Sequence, residues 1–154
     1  MTASLCFVTV LTGGLCNMYK SPQSPKVAEL SWSGTPSAAS YTYSMSIDQQ
    51  TASFVSISSG TDINLGSGHY YVVAYPDYTR ANSTIRNQIY WFLDGSQIGA
   101  VGGSDHFNSE STDNAEAPFT VLTSGVLTLR QTAWSGSAIT LTNQCKAFIY
   151  KVPL

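Results

Sequence analysis

Two histidines, nine carboxylates and three thiols are the side chains of this chain best suited to catalysis or metal binding. A Ser-His-Asp relay needs a histidine held between an acid and a hydroxyl. Serines surround both His69 and His106, but no Gly-x-Ser-x-Gly elbow is present, and the two histidines read as a strand-start and a loop residue. Asp105, Glu110, Asp113 and Glu116 crowd one polar stretch and could face a calcium ion, yet their spacing is not that of an EF-hand, and such a run is ordinarily a solvated loop. Asp62, Asp77 and Asp94 stand beside turn residues, where Asp serves turn chemistry rather than as a glycosidase carboxylate. Cys6, Cys16 and Cys145 form no Cys-x-x-Cys pair. They read as buried free thiols, with a Cys6–Cys16 hairpin bridge as the alternative. Asn82-Ser-Thr fits a glycosylation sequon, which matters only in a eukaryotic secretory setting. The expectation is therefore no catalytic residue, no metal and no cofactor.

The composition points the same way. Of 154 residues only 10% are charged while 43% are hydrophobic, against about 25% charged in an average globular chain. The polar surface must be built from Ser, Thr, Asn, Gln and Gly, as in many exposed β-proteins. The net charge is −2 and the basic residues are scattered from Lys20 to Lys151. That argues against a nucleic-acid partner, which calls for a basic stripe. No apolar run is long enough for a membrane span. Met1–Cys16 is apolar and ends in Leu-Thr-Gly-Gly-Leu-Cys, which hints at a secretion signal or lipidated cysteine. The positive n-region of such a signal is missing, since no Lys or Arg precedes Lys20. Leu5–Leu11 reads instead as a strand or docking arm, followed by a linker with Pro22 and Pro25.

Apolar positions repeat at two, not at three and four, so the elements are strands. Tyr41, Tyr43, Met45 and Ile47 alternate with Thr42, Ser44 and Ser46. Val27–Trp32, Ser53–Ile57, Phe119–Leu122, Val126–Gln131, Ile139–Thr142 and Gln144–Lys151 read as further strands. Gly66-Ser-Gly reads as a tight turn before His69–Tyr75, which Pro76 ends because it cannot donate to a ladder. Asp77–Thr84 reads as a loop, Ile85–Leu93 as the partner strand, and Asp94-Gly95 as a hairpin turn into Gln97–Val101. Gly102–Pro118 reads as an exposed loop with a short strand near His106. Many short strands between turns indicate an all-β, two-sheet antiparallel sandwich. Residues 1–26 would form an N-terminal arm and residues 27–154 the domain.

From Ile63 onward the pattern resembles a known family. A strand with Ile63 and Leu65 leads through a Gly turn to Gly68-His-Tyr, Pro76 and a loop tyrosine. Leu93-Asp-Gly-Ser, Ile98-Gly and Gly103-Ser follow, then Phe119-Thr-Val, Gly125-Val-Leu-Thr-Leu-Arg-Gln and a last strand ending in Phe148-Ile-Tyr-Lys. This resembles the complement-C1q/tumour-necrosis-factor-like jelly rolls of bacteriophage structural proteins. The resemblance covers about the last ninety residues, and nothing before Ile63 takes part in it. It implies a two-sheet jelly roll, a tight homotrimer, and a place on the phage particle surface as a capsid decoration protein or fibre tip.

The residues support an oligomer separately. His69–Tyr75 and Ile85–Leu93 are apolar on both faces, and one sandwich covers only one face of each. A homo-oligomeric interface would cover the other, unless a loop or arm of the same chain does so. Tyr71, Tyr90, Phe92 and Tyr150 are the candidate trimer-lining residues. Phe7, Val8, Val10 and Leu11 are the candidates for docking on a major capsid protein or other virion protein. A receptor-binding reading would use Asp77, Tyr78, Arg80, His106 and Phe107 on two loops, with a host surface glycan as partner. Tyr75, Tyr78, Trp32 and Trp134 could make a glycan shelf if exposed, although packing is the commoner fate of such rings.

Overall fold

The structure, a computed structural model, describes residues 24–34, 40–80, 86–104, 114–135, 139–141 and 144–153. Every element among them is a strand: β1 Lys26–Ser33, β2 Tyr41–Thr42, β3 Ser44–Gln50, β4 Val55–Ser58, β5 Asp62–Tyr75, β6 Tyr78–Arg80, β7 Arg86–Leu93, β8 Ser96–Ser104, β9 Ala115–Ser135, β10 Ile139–Leu141 and β11 Lys146–Val152. All recorded pairings are antiparallel, in the order β3-β1-β11-β5-β9-β7-β8, with β4 on β5, β2 on β9 and a separate β6–β10 pair.

Two long strands turn this path into a sandwich. The first part of β9 pairs with β5, from Ala115 opposite Ala74 to Leu127 opposite Ile63. Its second part pairs with β7, from Leu127 opposite Leu93 to Ser135 opposite Arg86. One layer thus holds β3, β1, β11, the later half of β5 and the start of β9. The other holds β7, β8 and the end of β9. Alternate residues of both layers meet in a single core that includes Leu30, Trp32, Val72, Ile149, Trp91 and Leu129. The buried polar groups of the large rings find partners, as buried groups must. Trp91 Nε1 donates to the Ala115 carbonyl at 2.9 Å, Trp32 Nε1 to the Lys146 carbonyl at 3.1 Å, and Tyr43 Oη to Gln131 Oε1 at 3.0 Å. Asn87 is the exception: its side-chain amide is buried without a hydrogen-bond partner, and the structure offers no account of it.

Several sequence expectations hold. Tyr43 and Met45 are buried while Ser44 and Ser46 are exposed, as the alternation requires. β5 ends at Tyr75, before Pro76. Asp94 and Gly95 form the β7–β8 turn with φ of 48° and 81°, as a type I′ hairpin requires. Asp94 Oδ1 also accepts the Val126 N–H at 2.8 Å, which clips this turn to β9.

Others are corrected. Gly66-Ser-Gly is not a turn: β5 runs through it, and the register with β9 slips there as a β-bulge. A bulge absorbs an extra residue by bending the strand, and glycine accommodates it cheaply. His69 is therefore mid-strand rather than at a strand start. Phe119–Leu122 and Val126–Gln131 are parts of one 21-residue strand. The two apolar strands β5 and β7 are not neighbours, because β9 lies between them. The two ends of Gly102–Pro118 are strand rather than loop, with β8 reaching Ser104 and β9 starting at Ala115; the short strand expected near His106 lies outside the described residues. Gly99 shows why β8 can approach β9: at φ +70°, a Cβ there would sit 2.0 Å from the Glu116 carbonyl oxygen.

Candidate functional site

The outer face of the β1-β11-β5-β9 layer carries a plate of aromatic side chains. Period-two alternation buries Ala147 and Ile149 of β11 and Tyr70, Val72 and Ala74 of β5, so their neighbours point away from the core. The register aligns Tyr150 with Tyr71, Phe148 with Val73 and Lys146 with Tyr75. On the β1 side Val27 pairs with Tyr150, and on the β9 side Pro118 pairs with Tyr71. Ring centroids are 6.1 Å apart for Tyr71–Tyr150, 6.4 Å for Phe148–Tyr150 and 5.9 Å for Tyr75–Phe148. These spacings are those of favourable aromatic pairs. Val73 is already buried among these positions at 4% exposure, whereas Tyr75 remains 42% exposed.

Polar groups frame the plate. On one side Lys146 Nζ reaches Asp48 at 2.6 Å and Glu29 at 3.1 Å, Ser31 donates to Asp48, and Gln49 donates to Glu29. The hydrogen bonds from Gln49 and Lys146 lower the Glu29 pKa, and those to Asp48 and Glu29 raise that of Lys146. Desolvation pushes Asp48 up, but hydrogen bonds from Lys146 and Ser31 outweigh it and leave the pKa lowered. On the other side the Tyr71 hydroxyl donates to Glu116. That bond, with some desolvation, pushes the Tyr71 pKa up to about 12.

The four candidate trimer-lining residues do not share one surface. Tyr71 and Tyr150 lie side by side in the plate, joined by Tyr75 and Phe148. Tyr90 and Phe92 project from β7 in the other layer, opposite Arg130 and Thr128 of β9. The Arg130 guanidinium stacks 4.6 Å over the Phe92 ring, so part of that ring is covered from within the chain. The sequence places Tyr75 on one strand face with Tyr71 and Phe148 on one face with Tyr150, but neither is among the candidate trimer-lining residues. Their alternation with buried Ala147, Ile149 and Ala74 was the available signal.

The remaining candidates divide as follows. Trp32 is core, not shelf, at 2% exposure. Asp77 follows Pro76, and its backbone N–H donates to Cys145 Sγ while that thiol donates to its carbonyl. Cys145 is a buried free thiol, as expected. Tyr78 and Arg80 belong to β6, paired with β10, and their side chains, like that of Trp134, lie outside the described set. His106, Phe107, Cys6, Cys16 and the arm residues Phe7, Val8, Val10 and Leu11 lie outside the described residues. His69 is exposed with Nδ1 2.8 Å from Thr120 Oγ1. Among the described residues no three His, Cys, Asp or Glu side chains gather as a metal site.

No protein-family model matches the chain, and no curated protein is similar to it in sequence. Its three-dimensional arrangement does have counterparts. Murine APRIL at pH 8.0 superposes with a TM-score of 0.61 over 84% of this chain and 100% of that one, at 9% identity. Rabbit GITRL superposes with a TM-score of 0.50 over 84% and 94%, at 12% identity. The chain has the tumour-necrosis-factor-like jelly-roll fold. At such identities the likeness is one of fold alone, and it agrees with the all-β sandwich and the C1q/TNF-like resemblance read from the sequence.

Proposed function

We propose that this chain is a non-enzymatic homotrimeric virion protein of a bacteriophage that decorates or cements the capsid. The observation that carries the oligomer is the Tyr71–Tyr75–Phe148–Tyr150 plate. A contiguous aromatic face rimmed by polar groups is the signature of a protein–protein surface, and a closed ring of copies would cover it on each subunit. Threefold order is what the C1q/TNF-like resemblance implies. The sparse charge and hydroxyl-rich surface accord with an exposed β-protein, and the apolar Leu5–Leu11 segment would dock on the shell.

Light scattering tests the assembly. The expected mass is about three times the 16.5 kDa chain, and Tyr150→Glu should convert it to monomer by placing a charge in the plate. A monomeric mass for the unaltered protein would sink the reading. Location on the particle tests the rest: stripping the protein should weaken heads and spare adsorption to cells. If the purified protein instead blocks infection, the capsid assignment gives way to a receptor-binding tip.

A further inference from the structure

Beyond the aromatic plate, the same layer ends in an open cleft of about 520 Å³, within the range of ligand sites. Its charges are unbalanced. Lys26 and Lys151 stand directly opposite each other on β1 and β11, an arrangement that like-charge repulsion disfavours. Lys151 Nζ donates to the neutral Ser67 carbonyl at 2.6 Å and lies 5.4 Å from the Tyr70 ring centroid. Lys26 forms no ion pair with a described residue, His69 adds a third basic side chain, and the described lining contains no carboxylate. Exposed aliphatic groups also line it: Leu122 on β9 is 86% exposed, and Val152, next to Lys151 on β11, is 45% exposed.

We propose that this cleft docks an acidic polypeptide segment of a partner protein, its carboxylates on Lys26 and Lys151 and an aliphatic side chain on Leu122 and Val152. Size decides for a chain over a small anion. Lys26 on β1 and Leu122 on β9 are separated by three interstrand gaps through β11 and β5, and Leu122 stands three residues along β9 from Phe119, the position in register with Lys26, so the two are roughly 17 Å apart. Covering both takes about five residues of extended peptide. Chemistry favours a polypeptide over a saccharide, because among the described residues no aromatic ring lines the cleft to stack against a sugar. The inference does not rest on the capsid assignment or on the trimer.

The probe is a fluorescein-labelled Leu-Glu repeat peptide about eight residues long, followed by anisotropy. Leu-Gln and Ser-Glu repeats of equal length and a sulfated oligosaccharide serve as the other arms. The Leu-Glu peptide should bind at least about tenfold more tightly than either analogue, and added salt should weaken it. Lys26→Glu and Leu122→Ser should each weaken it by about tenfold, with the light-scattering mass and circular dichroism unchanged. Equal binding of the Leu-Gln peptide, indifference to both substitutions, or preference for the oligosaccharide would overturn the proposal. Because assembly is read separately, loss of peptide binding is distinguishable from loss of the oligomer.

Discussion

At the scale of single residues, Tyr71 shows how a surface hydroxyl becomes part of the fold. Its hydrogen bond to Glu116 favours the neutral phenol and raises its pKa from 10.0 to about 12. A group with a raised folded pKa contributes its full stability below the unfolded value and loses it as pH climbs through the folded one. Stability should therefore fall between pH 10 and pH 12 as the unfolded chain ionises first. Tyr71→Phe should flatten that slope while leaving stability near neutral pH little altered, because the group lies near the surface. Urea midpoints measured from pH 9 upward would show it; an unchanged slope in the variant would mean that another group is responsible. This pair was illegible in the sequence. Tyr71 and Glu116 are far apart along the chain, and only the β5–β9 register brings them within reach.

Among the elements, β9 organises the molecule. Its first part pairs with β5 in one layer and its second with β7 in the other, so it links the two layers of the sandwich. Sequence reading divides it at Thr123-Ser-Gly125, where apolar alternation lapses. Gly125 itself is closely packed, since a Cβ there would sit 3.0 Å from Leu93 Cδ1. The β8–β9 approach gives a sharper test. Gly99 and Gly95 both have positive φ, but a Cβ at Gly95 would meet open space while one at Gly99 would strike the β9 backbone. Gly95→Ala should cost about 1 kcal/mol, the backbone penalty alone. Gly99→Ala should cost about 2–4 kcal/mol through added steric overlap. Equal losses in urea unfolding would show that close approach is not what Gly99 provides.

For the whole molecule, the outer aromatic plate is a face that the described residues leave partly uncovered. If copies cover it, folding and association are linked, and thermal stability must depend on protein concentration. The midpoint of unfolding should rise across a hundredfold dilution series read from dilute to concentrated, and Tyr150→Glu should abolish the trend. A midpoint independent of concentration in the unaltered protein would argue for a plate that stays solvated.

Local chemistry was enough for much of this. Period-two alternation marked the strands and the buried side of each, Pro76 marked the end of β5, and Asp94-Gly95 marked the hairpin, because each is decided by backbone sterics or hydrogen bonding among near neighbours. The doubled apolar character of β5 and β7 was also readable. What alternation cannot carry is which strands lie side by side. Tyr71 and Tyr150 share a plate because β5 pairs with β11, whereas Tyr90 and Phe92 face elsewhere because β9 separates β7 from β5. The opposed Lys26 and Lys151 arise in the same way from the β1–β11 register. Strand neighbours are selected by burial of the whole core at once, so the surfaces themselves were decided only by the tertiary structure.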